Sequence, residues 1–182
     1  NGLNLQMFLY LFNVCADGSN PYAGVPAGVL YMHAARSVMT VETKRSAEKD
    51  IAGQEDKAFG MNGIVITNPD CDIPAAMEHD LAGKYIPVRL KKSGVGGSLA
   101  SLEQLGLLQR KIEALVADMG NALQNGQIGQ HPVQAKDHDK TCEYCDFASV
   151  CAFKKSVTPR TYDDQTDSAV LAELEKEGEN HA

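Results

Sequence analysis

Residues 98–119 read SLASLEQLGLLQRKIEALVADM, and the rest of the chain can be ordered outward from them. Ser101 and Gln104 make an S-x-x-Q capping box, the pattern in which two side chains satisfy backbone N–H groups orphaned at a helix start. Leu105, Leu108, Ile112, Leu115, Met119 and Leu123 follow at steps of three and four, the period of one buried helix face. Gly126 stands where a helix commonly ends on a left-handed residue. At 1.5 Å per residue the expected helix is roughly 35 Å long, a full domain edge.

Upstream of this helix, Gly94 to Ser98 reads as a flexible turn, and Lys84 to Lys91 (KYIPVRLK) as an edge strand, where Pro87 is tolerable. GMNGIVITNPD holds a short apolar run, Ile64-Val65-Ile66, ended by Asn68-Pro69; one or two helical turns are expected from Pro74 to His79. Residues 36–59 are charged and weakly periodic, a loop with a helical turn or two. Ala27 to Ala34 (AGVLYMHA) has strand composition. The opening segment places Leu5, Phe8, Leu9 and Phe12 at helical spacing, and Asp17-Gly18-Ser19-Asn20-Pro21 stops it. Downstream come a polar connector with Pro132, a cysteine-rich stretch, and an acidic run from about Asp163, expected as a solvated or frayed tail. The expected division is a domain over 1–155 and a flexible tail over 156–182. No internal repeat is present.

The 182 residues suffice for one domain with a core. With 43% hydrophobic and 23% charged residues, a collagen-like, mucin-like or disordered chain is excluded. The net charge of −7 means that any contact with nucleic acid must be local. Cations gather at Lys84, Arg89, Lys91 and Lys92, and again at Lys154, Lys155 and Arg160; either group could meet phosphates or be a solvated edge. The apolar stretch Leu3 to Cys15 is broken by Asn4, Gln6 and Asn13, too short for a membrane span and without a basic leader. A reducing cytoplasm is the expected compartment. The chain opens at Asn1 in mid-pattern and reads as a piece of something longer.

The strongest chemical signal is Cys142-x2-Cys145-x5-Cys151. A CxxC pair lets two thiolates grip one metal centre from a single turn, and the third can close over it. His138 as a fourth ligand would make a Cys3His zinc module. A fourth cysteine outside the chain would make an iron–sulfur cluster. Cys15, in an apolar helix, or Cys71, beside Pro69-Asp70, could also swing in as the fourth ligand, and a metal-free scaffold is the third reading. Gln6 and Tyr10 lie one turn apart on one face of the first helix, able to address a ligand together or to form the polar edge of a core helix. Three E-x-K-like strings, Glu42-Thr43-Lys44, Glu55-Asp56-Lys57 and Glu175-Lys176-Glu177, have the residue types of metal-dependent nucleases, but charged surface loops produce them freely. Gly94, Gly96 and Gly97 lack the GxxxxGK[ST] of a phosphate loop.

GLNLQMFLYL, PAGVLYM, YIPVRLKK, the long helix segment and CEYCDFASVCAF, in this order, resemble the C-terminal nuclease domain of the AddB (RexB) family, the second subunit of bacterial AddAB helicase–nucleases. The resemblance runs from Gly2 to Phe153. It implies an α/β fold, the back part of a restriction-endonuclease-like, RecB-type PD-(D/E)xK domain with a mixed sheet flanked by helices. It also implies Mg²⁺-dependent cleavage of single-stranded DNA in double-strand-break repair, beside an AddA-like partner. Gln6 and Tyr10 fall on the family's QxxxY motif, which lines the active site. Cys142, Cys145 and Cys151 fall on the last three ligands of a 4Fe-4S cluster whose first cysteine lies far upstream. Arg89, Lys91 and Lys92 are the candidate DNA contacts. In that family the metal-binding Asp and the (D/E)-x-K strand precede QxxxY, so they lie outside these residues. The chain alone is therefore expected to be inactive, and its first helix and AGVLYM strand to expose an apolar face on which two copies could pair.

Overall fold

The computed structural model describes residues 5–34, 51, 53–54, 58–127, 129, 132–135, 142, 145–151, 160–163 and 165–179. In chain order the elements are α1 (Gln6–Ala16), β1 (Gly28–Tyr31), β2 (Asn62–Thr67), α2 (Ile73–Met77), β3 (Val88–Lys91), β4 (Gly94–Gly97), β5 (Leu99–Ser101), α3 (Leu102–Gln124), β6 (Val133–Ala135), α4 (Ala148–Cys151), β7 (Arg160–Tyr162) and α5 (Asp167–Glu179).

The run Ile64-Val65-Ile66 becomes the middle of a three-stranded sheet ordered β1-β2-β5. β1 lies antiparallel to β2 and β5 parallel to it, so the sheet is mixed. Alternation along β2 sends Ile64 and Ile66 to one face and Val65 to the other. Ile64 and Ile66 pack with Ala100, Leu105 and Leu171, against Phe8, Leu11 and Phe12 of α1 and Leu108 of α3. Val65 packs with Leu81, Ile86 and Val88. Because both faces are covered, β2 reads as a continuous apolar run rather than an alternating one. Val65 and Ile66 are sealed from water, each contributing on the order of 1.5–3 kcal/mol. β1 and β2 approach so closely that a Cβ on Gly63, at φ +140°, would collide with the Val29 carbonyl oxygen. Only glycine fits there.

The long helix forms as its caps dictate. The Ser101 hydroxyl accepts from the Gln104 N–H at 3.1 Å, and the Gln104 side chain accepts from the Ser101 N–H at 2.8 Å. Gly126 follows the helix at φ +68°. α2 begins on Asp72, whose carboxylate accepts from the Ala75 N–H at 3.2 Å.

Three expectations change. Gly94 to Ser98 is not a flexible turn: Gly94–Gly97 is a strand paired antiparallel with β3, in the register Arg89↔Gly96 and Lys91↔Gly94. Glycine-rich composition carries no strand propensity, and the ladder with β3 supplies what propensity lacks. The edge strand expected over 84–91 is shorter, beginning after Pro87. In the acidic C-terminal run, Asp167–Glu179 is helical, with Leu171 and Leu174 buried. Its apolar pair is spaced three residues apart within an acidic surface, and α3 covers that stripe. Residues 36–50, assigned to a charged loop, lie outside the described residues.

Candidate functional site

α1 is amphipathic by position. Phe8, Leu11 and Phe12 face the core, with the two phenyl rings stacked at 6.2 Å between centroids. Gln6 and Tyr10 are exposed, on the opposite side. There the Gln6 amide Nε2 donates to the Tyr10 hydroxyl at 2.7 Å. The bond joins the two side chains on one face and leaves the phenol's own O–H to donate elsewhere. The pair thus forms one preset unit, an amide carbonyl that accepts and a phenol that donates. Tyr10 is 55% exposed, in a row of outward-facing apolar groups made by Met7, Leu9 and Val14. The helix stops at Asp17, whose carboxylate accepts from the Ser19 hydroxyl at 2.6 Å and the Ser19 N–H at 3.0 Å. Those two bonds, the hydroxyl's first, hold the Asp17 carboxyl below its ordinary pKa.

Beside α1 a cavity of about 430 Å³ opens between Phe8, Tyr31 and Ile64 on one side and Leu108, Asp167 and Leu171 on the other. Its wall is mostly apolar, and among the described residues Asp167 of α5 is the carboxylate that lines it.

The cysteine motif forms a turn followed by α4. The Cys145 N–H donates to the Cys142 carbonyl at 3.3 Å, and the Cys151 N–H to the Phe147 carbonyl at 2.8 Å. Cys142 and Cys151 are half-buried, Cys145 is exposed, and none of the three is in a disulfide. The donor set suits a soft, thiolate-bound centre. Among the described residues, however, no three His, Cys, Asp or Glu side chains converge as a metal site. His138 lies outside the described residues, as do Lys154 and Lys155.

The E-x-K strings separate. Glu42-Thr43-Lys44 and Glu55-Asp56-Lys57 fall outside the described residues. The third belongs to helix packing: Glu175 accepts from the Gln104 amide at 2.8 Å, and Glu177 pairs with Lys111 at 2.7 Å. Arg89, Lys91 and Lys92 are exposed on β3 and the turn after it. Lys84 lies 5.2 Å from the centre of the Tyr85 ring. Arg160 is exposed on β7.

Sequence reasoning missed Glu78. It is buried, and its two oxygens accept from the N–H groups of Lys84, Tyr85 and Ile86 at 2.9, 3.0 and 3.0 Å. Burial pushes its pKa up, but the N–H groups of Lys84, Ile86, Tyr85 and Gly83 together outweigh it and hold the carboxyl below the usual glutamate value. The loop it gathers contains Leu81 at φ +44°, the only non-glycine residue with positive φ among the described residues, and leads directly into β3. The one sequence signal was Gly83, placed where the chain must turn back on the carboxylate.

A sequence profile of the PD-(D/E)XK nuclease superfamily matches residues 2–152. The chain is 31% identical to the second (B) subunit of the ATP-dependent helicase/deoxyribonuclease of Bacillus thuringiensis (strain Al Hakam), over 97% of this chain and 16% of that protein. It is 31% identical to the corresponding protein of Oceanobacillus iheyensis, over 99% of this chain and 16% of that protein. For Bacillus anthracis the identity is 30%, over 97% and 16%. The chain thus spans about a sixth of the length of these curated relatives, and the AddB resemblance holds over nearly all of it. Nucleases of this superfamily typically depend on a divalent metal. Among the described residues no helix is long and apolar enough to cross a membrane. With the mixed sheet flanked by helices and the profile covering 2–152, the chain belongs to the PD-(D/E)XK nuclease superfamily.

Proposed function

We propose that these residues form the rear part of the nuclease domain of an AddB-like subunit. Its work is Mg²⁺-dependent hydrolysis of single-stranded DNA in double-strand-break repair by recombination, beside an AddA-like helicase–nuclease subunit in the cytoplasm. The observation that carries this reading is the Gln6–Tyr10 hydrogen bond, made on the outer face of a helix whose other face is seated on the mixed sheet. A phenol joined to Gln6 in this way can donate to a phosphate oxygen or orient the catalytic lysine. Magnesium, when bound, would supply charge neutralisation at the scissile phosphate. In the family that the chain resembles, the residues holding it precede Gln6, so these 182 residues on their own are expected not to cut DNA.

Cys142, Cys145 and Cys151, with one thiol from elsewhere in the parent protein, would hold a 4Fe-4S cluster. Its contribution when bound is closure of the domain, because ligation free energy is folding free energy. The competing reading, a Cys3His zinc module using His138, draws on the same three thiols.

The test uses the full-length protein with its helicase partner. Gln6→Ala and Tyr10→Phe should each lower kcat for single-strand cleavage about 10–100-fold with little change in KM, the mark of an interaction made in the transition state. An unchanged kcat sinks the assignment. Anaerobic metal analysis should find about four irons per chain, lost together with protease resistance in Cys145→Ala. Zinc without iron would instead install the zinc reading.

A further inference from the structure

The β3–β4 hairpin is a place where this acidic protein reverses its charge. From Leu81 to Leu102 the sequence holds Lys84, Arg89, Lys91 and Lys92 and no Asp or Glu. Glu78, which reaches into this region, has its oxygens occupied by backbone N–H groups. Among the described residues, Arg89, Lys91 and Lys92 make no ion pair.

Strand alternation puts Arg89 and Lys91 on one face of the hairpin, about 6.7 Å apart along the strand. The residues opposite them in register are Gly96 and Gly94. Lys91 leans across the hairpin over Gly96: a Cβ there would sit 3.3 Å from its Cδ and Nζ. On the other flank, a Cβ on Gly83 would sit 3.1 Å from the Arg89 Cβ. The cationic face is therefore floored by bare backbone, with glycine on both sides of the charged row. The opposite face of the ribbon carries Val88, which is buried, and the exposed cross-strand pair Leu90 and Val95.

We propose that this face of the β3–β4 hairpin is a platform for the sugar–phosphate backbone of single-stranded DNA, with Arg89 and Lys91 as its phosphate contacts and Lys92 in the turn at its end. The proposal rests on the nuclease reading for the identity of the polyanion and adds the surface that delivers it. Glycines let a backbone approach closely. Cations repeating along a strand meet a repeating charge without reading bases. A protein partner would need an aromatic or aliphatic anchor, and among the described residues of β3 and β4 this face carries Arg89, Lys91, Gly94 and Gly96. Glu78 is the positioning residue, since the loop that it ties down enters β3 directly.

The experiment measures binding of a labelled oligothymidylate to the full-length protein in complex with its helicase partner, by anisotropy across a salt series. The double variant Arg89→Ala/Lys91→Ala should weaken binding about tenfold near 0.1 M salt, and should flatten the slope of log K against log salt by about 1.4, at roughly 0.7 per lost phosphate contact. Lys176→Ala on α5, which removes a cation from another surface, should leave both unchanged. Gly96→Val, which keeps every charge but fills the floor, should weaken binding severalfold with little change in slope. An unchanged affinity and slope in the double variant overturns the proposal. So does loss of the helicase partner with oligonucleotide binding intact, which would make the face a protein contact. A wild-type complex that binds DNA but does not cut it sinks the nuclease reading while leaving the platform standing.

Discussion

Glu78 shows what one side chain can hold in this protein. A buried carboxylate is costly unless its oxygens are occupied, and here backbone N–H groups from three consecutive residues occupy them. Each such charge-assisted bond contributes on the order of 1.5–3 kcal/mol net of the exchange with water. Because the folded pKa lies below the unfolded one, the stabilisation is complete above the ordinary glutamate pKa and is lost as pH falls through the depressed folded value. Urea midpoints of the wild type should therefore decline on acidification below about pH 4.5, the ordinary glutamate range. Glu78→Gln, which cannot ionise, should start lower at pH 7 and decline less. Equal declines in the two proteins would show that the carboxylate contributes nothing through its charge. Gln6 and Tyr10 are the opposite case: their bond is local and exposed, and the sequence spacing alone predicted their shared face.

Among the elements, α5 departs furthest from expectation. Read by charge, its sequence is a solvated run. Leu171 and Leu174 are nonetheless buried, and Leu171 joins the cluster made by Ile64, Ile66, Ala100 and Leu105. The exposed contacts to α3, Gln104–Glu175 and Lys111–Glu177, set its register more than its stability, since a half-exposed ion pair is worth only about 0.2–1 kcal/mol. Gly178 approaches α3 so closely that a Cβ would meet the Leu107 Cδ2 at 2.8 Å. Leu171→Ala should destabilise the domain by roughly 2–4 kcal/mol, and Lys111→Ala by less than about 1 kcal/mol. Chemical denaturation of the two variants reads the difference directly. A Leu171→Ala protein as stable as wild type would mean that α5 does not complete the core. The capping box at Ser101 and Gln104, by contrast, was legible in full, because all its bonds close within four residues.

At the scale of the whole molecule, several large apolar groups stay exposed on α1 and β1. Met7, Leu9, Tyr10 and Val14 line the outer face of α1, while Tyr31 and Met32 lie at and beyond the end of β1, which among the described residues has a strand partner on one side. Surfaces of this kind are usually covered. The 182-residue chain should accordingly self-associate with rising concentration, and Leu9→Glu should reduce that association. Light scattering that finds a clean monomer at high concentration would remove this expectation.

The features that the sequence by itself determined are those made within a few residues: the capped long helix, the stop after α1, the shared face of Gln6 and Tyr10, and the cysteine spacing. Their physics is local, and short-range periodicity records it. The family was legible too, because the order of motifs survives at about 31% identity. Only the tertiary structure decided that a glycine run becomes β4, that an acidic run becomes a core helix, and that Glu78 closes a loop. Each depends on partners distant in sequence or on an unusual backbone path: β3 for the glycines, α3 for Leu171, and for Glu78 the amides of a chain that turns back on itself. Propensity and charge describe a residue's preference in water, and burial against a distant partner outweighs both.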